Sequence, residues 1–284
     1  MAIKDLRGTT FLVTGAASGI GRALALAAAA DGARLVLTDI SRDGLDDTAR
    51  TVRDRGGVVL HADALDISDY DAVTAWAAKV HEQSGSVDVV ANVAGVSVWG
   101  TVDKLEHRHW KQMVDVNLMG PIHVIENFVP PMIEARRGGH LVNVSSAAGL
   151  LALPWHSAYS ASKFGLRGVS EVLRFDLRRH RIGVSLVVPG AVRTPLVKTV
   201  QIVGVDRDAP EARALTGRFE KHAASPEKVA DCILTGMKKN RFLVYTSFDV
   251  RFGYWWARKF APPYNATMQF ANDYFTRTLR RVGK

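Results

Sequence analysis

The chain has one cysteine, Cys232, among 284 residues. No internal disulfide can form, and a reducing compartment fits. The lone thiol reads as buried and inert. Long hydrophobic runs are also missing. The longest weakly polar stretch, Ala23 to Ala30, is mostly alanine and too short to cross a bilayer. The opening Met1-Ala-Ile-Lys-Asp-Leu-Arg-Gly8 is charged and has no apolar core, which reads against a secretory signal. A cytoplasmic location is the expectation. The 9 histidines show no clustered ligand spacing, so no metal is expected. There is no internal repeat and no low-complexity linker. Acidic residues are the minority sign, 28 against 37 basic, for a net charge of +9. Such an excess suits nucleic acid, an anionic surface or an anionic ligand. The first 240 residues hold no nucleic-acid motif and no isolated basic block, so no nucleic-acid partner is expected.

What the chain does have is alternation. Apolar runs rich in Val and Leu recur at Thr10–Thr14, Arg34–Asp39, Val58–His61, Asp88–Asn92, His140–Ser145, Gly183–Val188 and Arg241–Tyr245. Such runs suit strands covered on both faces. Helix-length segments separate them, including Gly21 to Ala30. The expected fold is therefore α/β, a Rossmann-like doubly wound parallel sheet of about seven strands in a single domain over 1–249. Two segments break the rhythm: a variable stretch over 195–224, expected to be a substrate lid, and a C-terminal extension over 250–284. Between them Ser225-Pro226-Glu227 reads as a helix start, with a hydroxyl cap, Pro at the first position and an acid in the first turn.

Three motifs carry chemistry. The first is Thr14-Gly15-Ala-Ala-Ser18-Gly19-Ile20-Gly21, between the first strand and a helix. Gly15 allows a tight turn, and Gly19 and Gly21 let backbone approach a pyrophosphate at the helix N-terminus. The second is Asp39, which ends the second strand and is followed by Ile40. A carboxylate there accepts hydrogen bonds from a ribose 2′-hydroxyl and repels a 2′-phosphate, so NAD is expected over NADP. The alternative is that Asp39 caps a turn, and Arg42 could reach a phosphate. The third is Tyr159-Ser-Ala-Ser-Lys163. Residues four apart on a helix share a face. A free phenol ionises near pH ~10, and a neighbouring ammonium lowers that value into range for proton transfer. Together these motifs point to hydride chemistry at an alcohol or ketone.

With Asp66-Ile67, Asn92-Val-Ala94-Gly95, Asn117 in Val-Asn-Leu-Met-Gly120, Ser146, Pro189-Gly190 and Thr194, the set resembles the classical short-chain dehydrogenase/reductase family. The resemblance covers about residues 5 to 248. One departure is Val93, where the family commonly has a second Asn. The resemblance implies that Asp66 and Ile67 flank an adenine. It implies that Asn92, Ala94 and Gly95 pass beneath the cofactor ribose. Pro189, Gly190, Val192 and Thr194 then hold the nicotinamide end. Asn117, Ser146, Tyr159 and Lys163 form a catalytic tetrad, in which Tyr159 moves the proton and Ser146 binds the substrate oxygen. Lys163 lowers the phenol pKa and binds the nicotinamide ribose, and Asn117 holds a water. Ser146 is chosen over its neighbour Ser145 by the family's distance to the tyrosine. The family also implies a homodimer or homotetramer.

The substrate is read from Val96–Trp99, Ala147–His156 and Leu196–His222. Trp99, Leu153 and Trp155, with Ser146 and Tyr159, make a largely apolar pocket for a hydrophobic secondary alcohol or ketone (steroid-, terpenoid-, retinoid- or lipid-like). The runner-up readings are an NADP-linked carbonyl or acyl-carrier reductase and a non-catalytic nucleotide-binding sensor or scaffold. In the C-terminal segment, Trp255, Trp256 and Phe260 fit one helical face, and Met268, Ala271, Phe275 and Leu279 fit another, with Pro262-Pro263 between two helices. Packing onto the chain or a second subunit, a substrate lid, and a peripheral membrane contact are the competing readings of this aromatic and basic stretch.

Overall fold

The computed structural model describes residues 3–196, 200–205 and 223–280. Most of the expected lid, at 197–199 and 206–222, lies outside the described residues. The strands are β1 (Thr10–Thr14), β2 (Arg34–Asp39), β3 (Val58–Ala64), β4 (Val89–Asn92), β5 (Val98–Trp99), β6 (Gly139–Val144), β7 (Ile182–Val188), β8 (Gln201–Ile202) and β9 (Leu243–Tyr245). Seven of them form one parallel sheet in the order β3-β2-β1-β4-β6-β7-β9. The order reverses direction between β1 and β4, and a doubly wound sheet opens a crevice at such a point.

The helices are α1 (Gly19–Ala30), α2 (Arg42–Asp54), α3 (Tyr70–Ser84), α4 (His107–Val114), α5 (Gly120–Ala135), α6 (Ser157–Asp176), α7 (Pro226–Lys238), α8 (Phe248–Lys259) and α9 (Ala261–Arg280). Their starts follow local chemistry. Asp69 accepts from Ala72 N–H at 3.0 Å ahead of α3, and Ser225 accepts from Lys228 N–H at 3.2 Å ahead of α7. Each such cap satisfies a donor the helix leaves open.

The sheet is buried on both sides, and alternate strand residues feed two cores. Phe11, Val13, Leu35 and Leu37 pack with Leu24 of α1 and Ile233 of α7. Leu12, Val36, Val90 and Leu141 pack with Trp76 of α3 and Phe128 of α5 on the other face. Fully burying one such side chain stabilises the fold by roughly 1.5–3 kcal/mol. A third cluster joins Leu150, Leu151, Leu186 and Val188 to Val250 and Tyr254 of α8.

Four details differ from the sequence reading. β3 runs on to Ala64, three residues past His61, because Thr38 and Asp39 of β2 keep pairing with Asp63 and Ala64. A small parallel pair of β5 and β8 stands apart from the main sheet. Cys232 is only half-buried, at the edge of the first core. In the C-terminal segment the break falls at Phe260, where the backbone leaves helical geometry (φ −133°, ψ 65°), and the two prolines lie inside the first turn of α9. Proline is tolerated there because first-turn N–H groups have no intrahelical partner.

Candidate active site

The glycine turn follows β1 at the crevice. Gly15 and Gly19 hold left-handed backbone, with φ of 70° and 53°, which favours glycine. A Cβ on Gly21 would lie 2.0 Å from the Gly15 carbonyl oxygen, and one on Gly15 would lie 2.8 Å from Ala94 backbone. The turn therefore closes on itself and on the loop after β4. Ser18 precedes α1 without capping it through its side chain, and no acid occupies the first turn. Open N–H groups and the positive helix end thus face the turn, a setting that suits a phosphate. Thr194 lies over it, its Cγ2 3.1 Å from where a Gly19 Cβ would be. Ile20 is half-buried behind the turn and packs on the first core.

Asp39 holds two backbone donors, Ala17 N–H on Oδ2 and Ser41 N–H on Oδ1, both at 2.9 Å. The carboxylate clamps the glycine turn to the end of β2, so the turn-capping role is present. Arg42 is turned toward β3, donating to Ala62 O at 3.3 Å and lying 3.9 Å from Asp46. Ile40 is 72% exposed beside them.

The positions carried over by resemblance divide into two groups. Ala94 and Gly95 lie on the crevice. A Cβ on Gly95 would sit 3.4 Å from Lys163 Nζ and 2.9 Å from Asn117 Oδ1, so glycine keeps open the space before the lysine. Other side chains turn away. Asn92 is buried, donating to Asn143 Oδ1 at 3.0 Å, and Asn143 donates to Ser170 of α6 at 2.9 Å. The Asn92 side chain therefore joins β4 to β6. Ile67 is buried against Gly120, leaving only its backbone to meet an adenine. Asp66 accepts from Ser68 N–H and Oγ–H at 2.9 and 2.8 Å. Gly190 faces Val250 of α8 and Ser247. Pro189 O accepts from Ala147 N–H at 2.8 Å, and Val192 O accepts from Thr194 N–H at 2.9 Å. Thr14, which opens the glycine motif, also shapes the site. Its Oγ1 accepts from Val93 and Ala94 N–H at 3.0 and 3.1 Å, fastening the loop after β4 to the glycine turn. A buried hydroxyl ending a central strand was the available signal.

The chemistry-bearing side chains meet at α6. Ser146 hydrogen-bonds Tyr159, which lowers the phenol pKa, but burial raises it more, and the net direction is upward. Lys163 is 4% exposed and donates to Val144 O at 3.1 Å. Burial pulls its ammonium down to about 8. Its Nζ lies 5.8 Å from the Tyr159 ring centroid. Desolvation disfavours both charged forms. Ser145 turns the other way, donating to Lys163 O at 3.0 Å, so Ser146 is the serine beside Tyr159.

Asn117 sits in a π-helical turn, Asp115–Met119, between α4 and α5. Such turns displace a side chain from regular helical spacing. Its carboxamide is engaged by the Val96 peptide, accepting from N–H and donating to C=O, both at 2.9 Å. It anchors the substrate-side loop. On that loop Trp99 packs on His156 with centroids 4.4 Å apart and planes tilted by 36°, and His156 lies 6.2 Å from the Tyr159 ring. Leu153 packs instead on the third cluster beside α8. Trp155 holds an unusual positive φ of 66°, with its carbonyl accepting from Gly100 N–H at 2.8 Å.

The family profile described as short chain dehydrogenase matches residues 9–202. The chain is 36% identical over 251 residues to the Mycobacterium tuberculosis protein named as the oxidoreductase SadH, covering 88% of this chain and 90% of that one. It is 35% identical over 229 residues to the 3-oxoacyl-[acyl-carrier-protein] reductase FabG of Thermotoga maritima, covering 81% and 90%. A short-chain dehydrogenase/reductase from Burkholderia phymatum in complex with NAD superposes with a TM-score of 0.81 at 29% identity, over 90% of this chain and 94% of that one. A metagenomic short-chain oxidoreductase in complex with NADP does so at 0.68 and 33%, over 84% and 96%. With the family profile covering residues 9–202 and a relative 36% identical over 88% of this sequence, the chain belongs to the short-chain dehydrogenase/reductase family of oxidoreductases.

Proposed function

We propose that the protein is an NAD(H)-dependent oxidoreductase interconverting a hydrophobic secondary alcohol and its ketone. The observation that carries the reading is the placement of Ser146, Tyr159 and Lys163 beside a glycine turn that only backbone can line. The cofactor fits the residues present. Gly15, Gly19 and Gly21 close the turn too tightly for a Cβ, Ser18 and Ile20 complete it at the open helix N-terminus that would receive the pyrophosphate, and Gly95 keeps the space before Lys163 clear. Ala94, Thr194 and the backbone of Asp66, Ile67, Pro189 and Val192 complete the lining. When bound, the nicotinamide supplies or accepts a hydride.

The chain's own residues handle the oxygen and its proton. Ser146 Oγ holds the substrate oxygen, where charge changes in the transition state. Tyr159 Oη exchanges the proton. Its raised pKa keeps the phenol protonated near neutral pH, the state required to donate to a ketone. Lys163, held at about 8, carries its charge into the crevice at neutral pH and favours the phenolate left behind. The Trp99–His156 ring pair and the apolar cluster of Val96, Val98 and Trp110 around Tyr159 favour an apolar substrate. Asp39 supports NAD, since a 2′-phosphate placed by it meets a carboxylate while Arg42 stays engaged with Ala62 and Asp46.

The test is a panel of apolar ketones and alcohols with each nicotinamide nucleotide, following reduced-cofactor absorbance. Turnover with NADH and a weaker rate with NADPH is the expected result; a clear NADPH preference overturns the cofactor assignment. The second reading, reduction of an acyl-carrier substrate, draws on the likeness to FabG and on the net charge of +9. It predicts turnover of a carrier-linked ketone with NADPH above that of any free ketone.

A further inference from the structure

The C-terminal helices present an apolar surface that the catalytic reading does not use. Phe248 is 78% exposed, Phe252 48%, Trp255 49% and Phe260 46%. Their rings follow one another along α8, with centroids 6.0, 5.7 and 5.6 Å apart. Positions 248, 252 and 255 share a helical face. The opposite face carries Val250 and Tyr254 into the third core cluster. Trp256 is partly buried and lies off the exposed ladder, so the face expected from Trp255, Trp256 and Phe260 is corrected to this one. Exposed Arg251 and Lys259 border the ladder, Arg258 donates from Nη1 to Tyr254 Oη at 3.3 Å, and the single acid of α8 is Asp249. Over 250–284 the sequence holds Arg251, Arg258, Lys259, Arg277, Arg280, Arg281 and Lys284 against Asp273 alone.

We propose that this face of α8 is a docking surface for an anionic lipid bilayer. The helix lies in the interface, its aromatic ladder at the acyl boundary and its basic side chains among the headgroups. Contiguous exposed aromatics favour removal from water, and bordering cations favour an anionic surface over a neutral one. Among the described residues no helix is long and apolar enough to cross a membrane, so contact is interfacial. A second copy fits less well. A second copy brings the same net charge of +9 and the same basic C-terminal segment to the contact, where an anionic headgroup layer brings the opposite sign. The surface also lies next to the substrate side. Tyr264 Oη accepts from Ala152 N–H at 2.9 Å, tying α9 to the loop that follows Ser146. Delivery of an apolar substrate from the bilayer rests on the reading in the preceding subsection; lipid binding itself does not.

The experiment is co-sedimentation of the full chain, without substrate, with vesicles of phosphatidylcholine and phosphatidylglycerol, against phosphatidylcholine alone. Binding to the mixed vesicles only, weakened by salt, is expected. Arg251→Gln with Lys259→Gln removes two charges worth ~1 kcal/mol each at such a surface, and weakens binding about thirtyfold. Phe252→Ser with Trp255→Ser weakens it at least about tenfold. Both pairs are exposed, and retained cofactor binding shows that each variant is folded. Wild-type protein that stays in the supernatant with mixed vesicles overturns the proposal. So does equal binding to both vesicle types, or a dimer that either variant converts to monomer while the wild type binds no lipid. A chain that turns over no ketone yet binds mixed vesicles in the expected pattern supports the docking surface and counts only against the catalytic reading.

Discussion

The glycine-turn end of the crevice and the C-terminal helices are built on opposite principles. At the turn, backbone touches backbone. Gly21 stands where a Cβ would meet the Gly15 carbonyl at 2.0 Å, and Thr14 fastens the β4 loop with one hydroxyl. At α8, large side chains stand in water, and only Val250 and Tyr254 are buried beneath. The first region is defined by what cannot be added without displacing backbone. The second is defined by what has been left uncovered. Change should therefore be costly in one and nearly free for folding in the other.

The largest expected effect tests the centre to which both regions are joined. Tyr159→Phe should cut turnover by about 10²–10⁴-fold while cofactor affinity, measured by fluorescence titration, stays near the wild-type value. Retained turnover removes Tyr159 from the proton path. The next test sets Gly21→Ala against Gly168→Ala. The first forces a Cβ into backbone, costing roughly 1–3 kcal/mol and abolishing nucleotide binding. The second has nothing within 4 Å on an exposed face of α6, and gains roughly 0.5–1 kcal/mol from helix propensity. Equal stability of the two variants in urea would remove the contrast.

Lys163 tests burial at the crevice. Its folded pKa of about 8 lies below the ordinary 10.5, so the folded state bears the cost of the buried ammonium wherever both states are charged. As pH rises from about 8 to about 10.5, the folded chain sheds this proton before the unfolded chain does. Stability therefore increases through that window by up to about 3 kcal/mol, relative to Lys163→Met. Parallel stability profiles of the two proteins would place the lysine in water. The smallest expected effect is at the seam between the regions. Tyr264→Phe removes the acceptor for Ala152 N–H, which costs about 1 kcal/mol. It should raise the KM of an apolar substrate with little change in kcat. An unchanged KM separates α9 from the substrate loop.

Much of the architecture was legible because it answers to local rules. Val- and Leu-rich runs of strand length can be covered only on two faces, and both cores take alternate residues of the same strands. Ser225 caps α7 as its sequence neighbours require. Gly15, Gly19 and Gly21 are readable because few backbones other than glycine enter that turn. Less legible were the positions whose role depends on a partner distant in sequence. Asn92 has a form suited to a polar contact with a ligand, yet Asn143, 51 residues on, claims it. Asn117 is similarly taken by Val96. Ile67 is turned inward by the gap at Gly120.

From sequence alone came the α/β class, the nucleotide-binding turn, and the pairing of Tyr159 with Lys163 on one helix, since each follows from spacing and backbone sterics. Tertiary structure decided how that pair is tuned. Burial beneath the loops pushes the phenol up and the ammonium down, because desolvation is set by everything that packs around a group and not by its neighbours in the chain. It also decided which aromatic residues of the C-terminal segment face solvent, because only the docking of Val250 and Tyr254 on the third core fixes the rotation of α8.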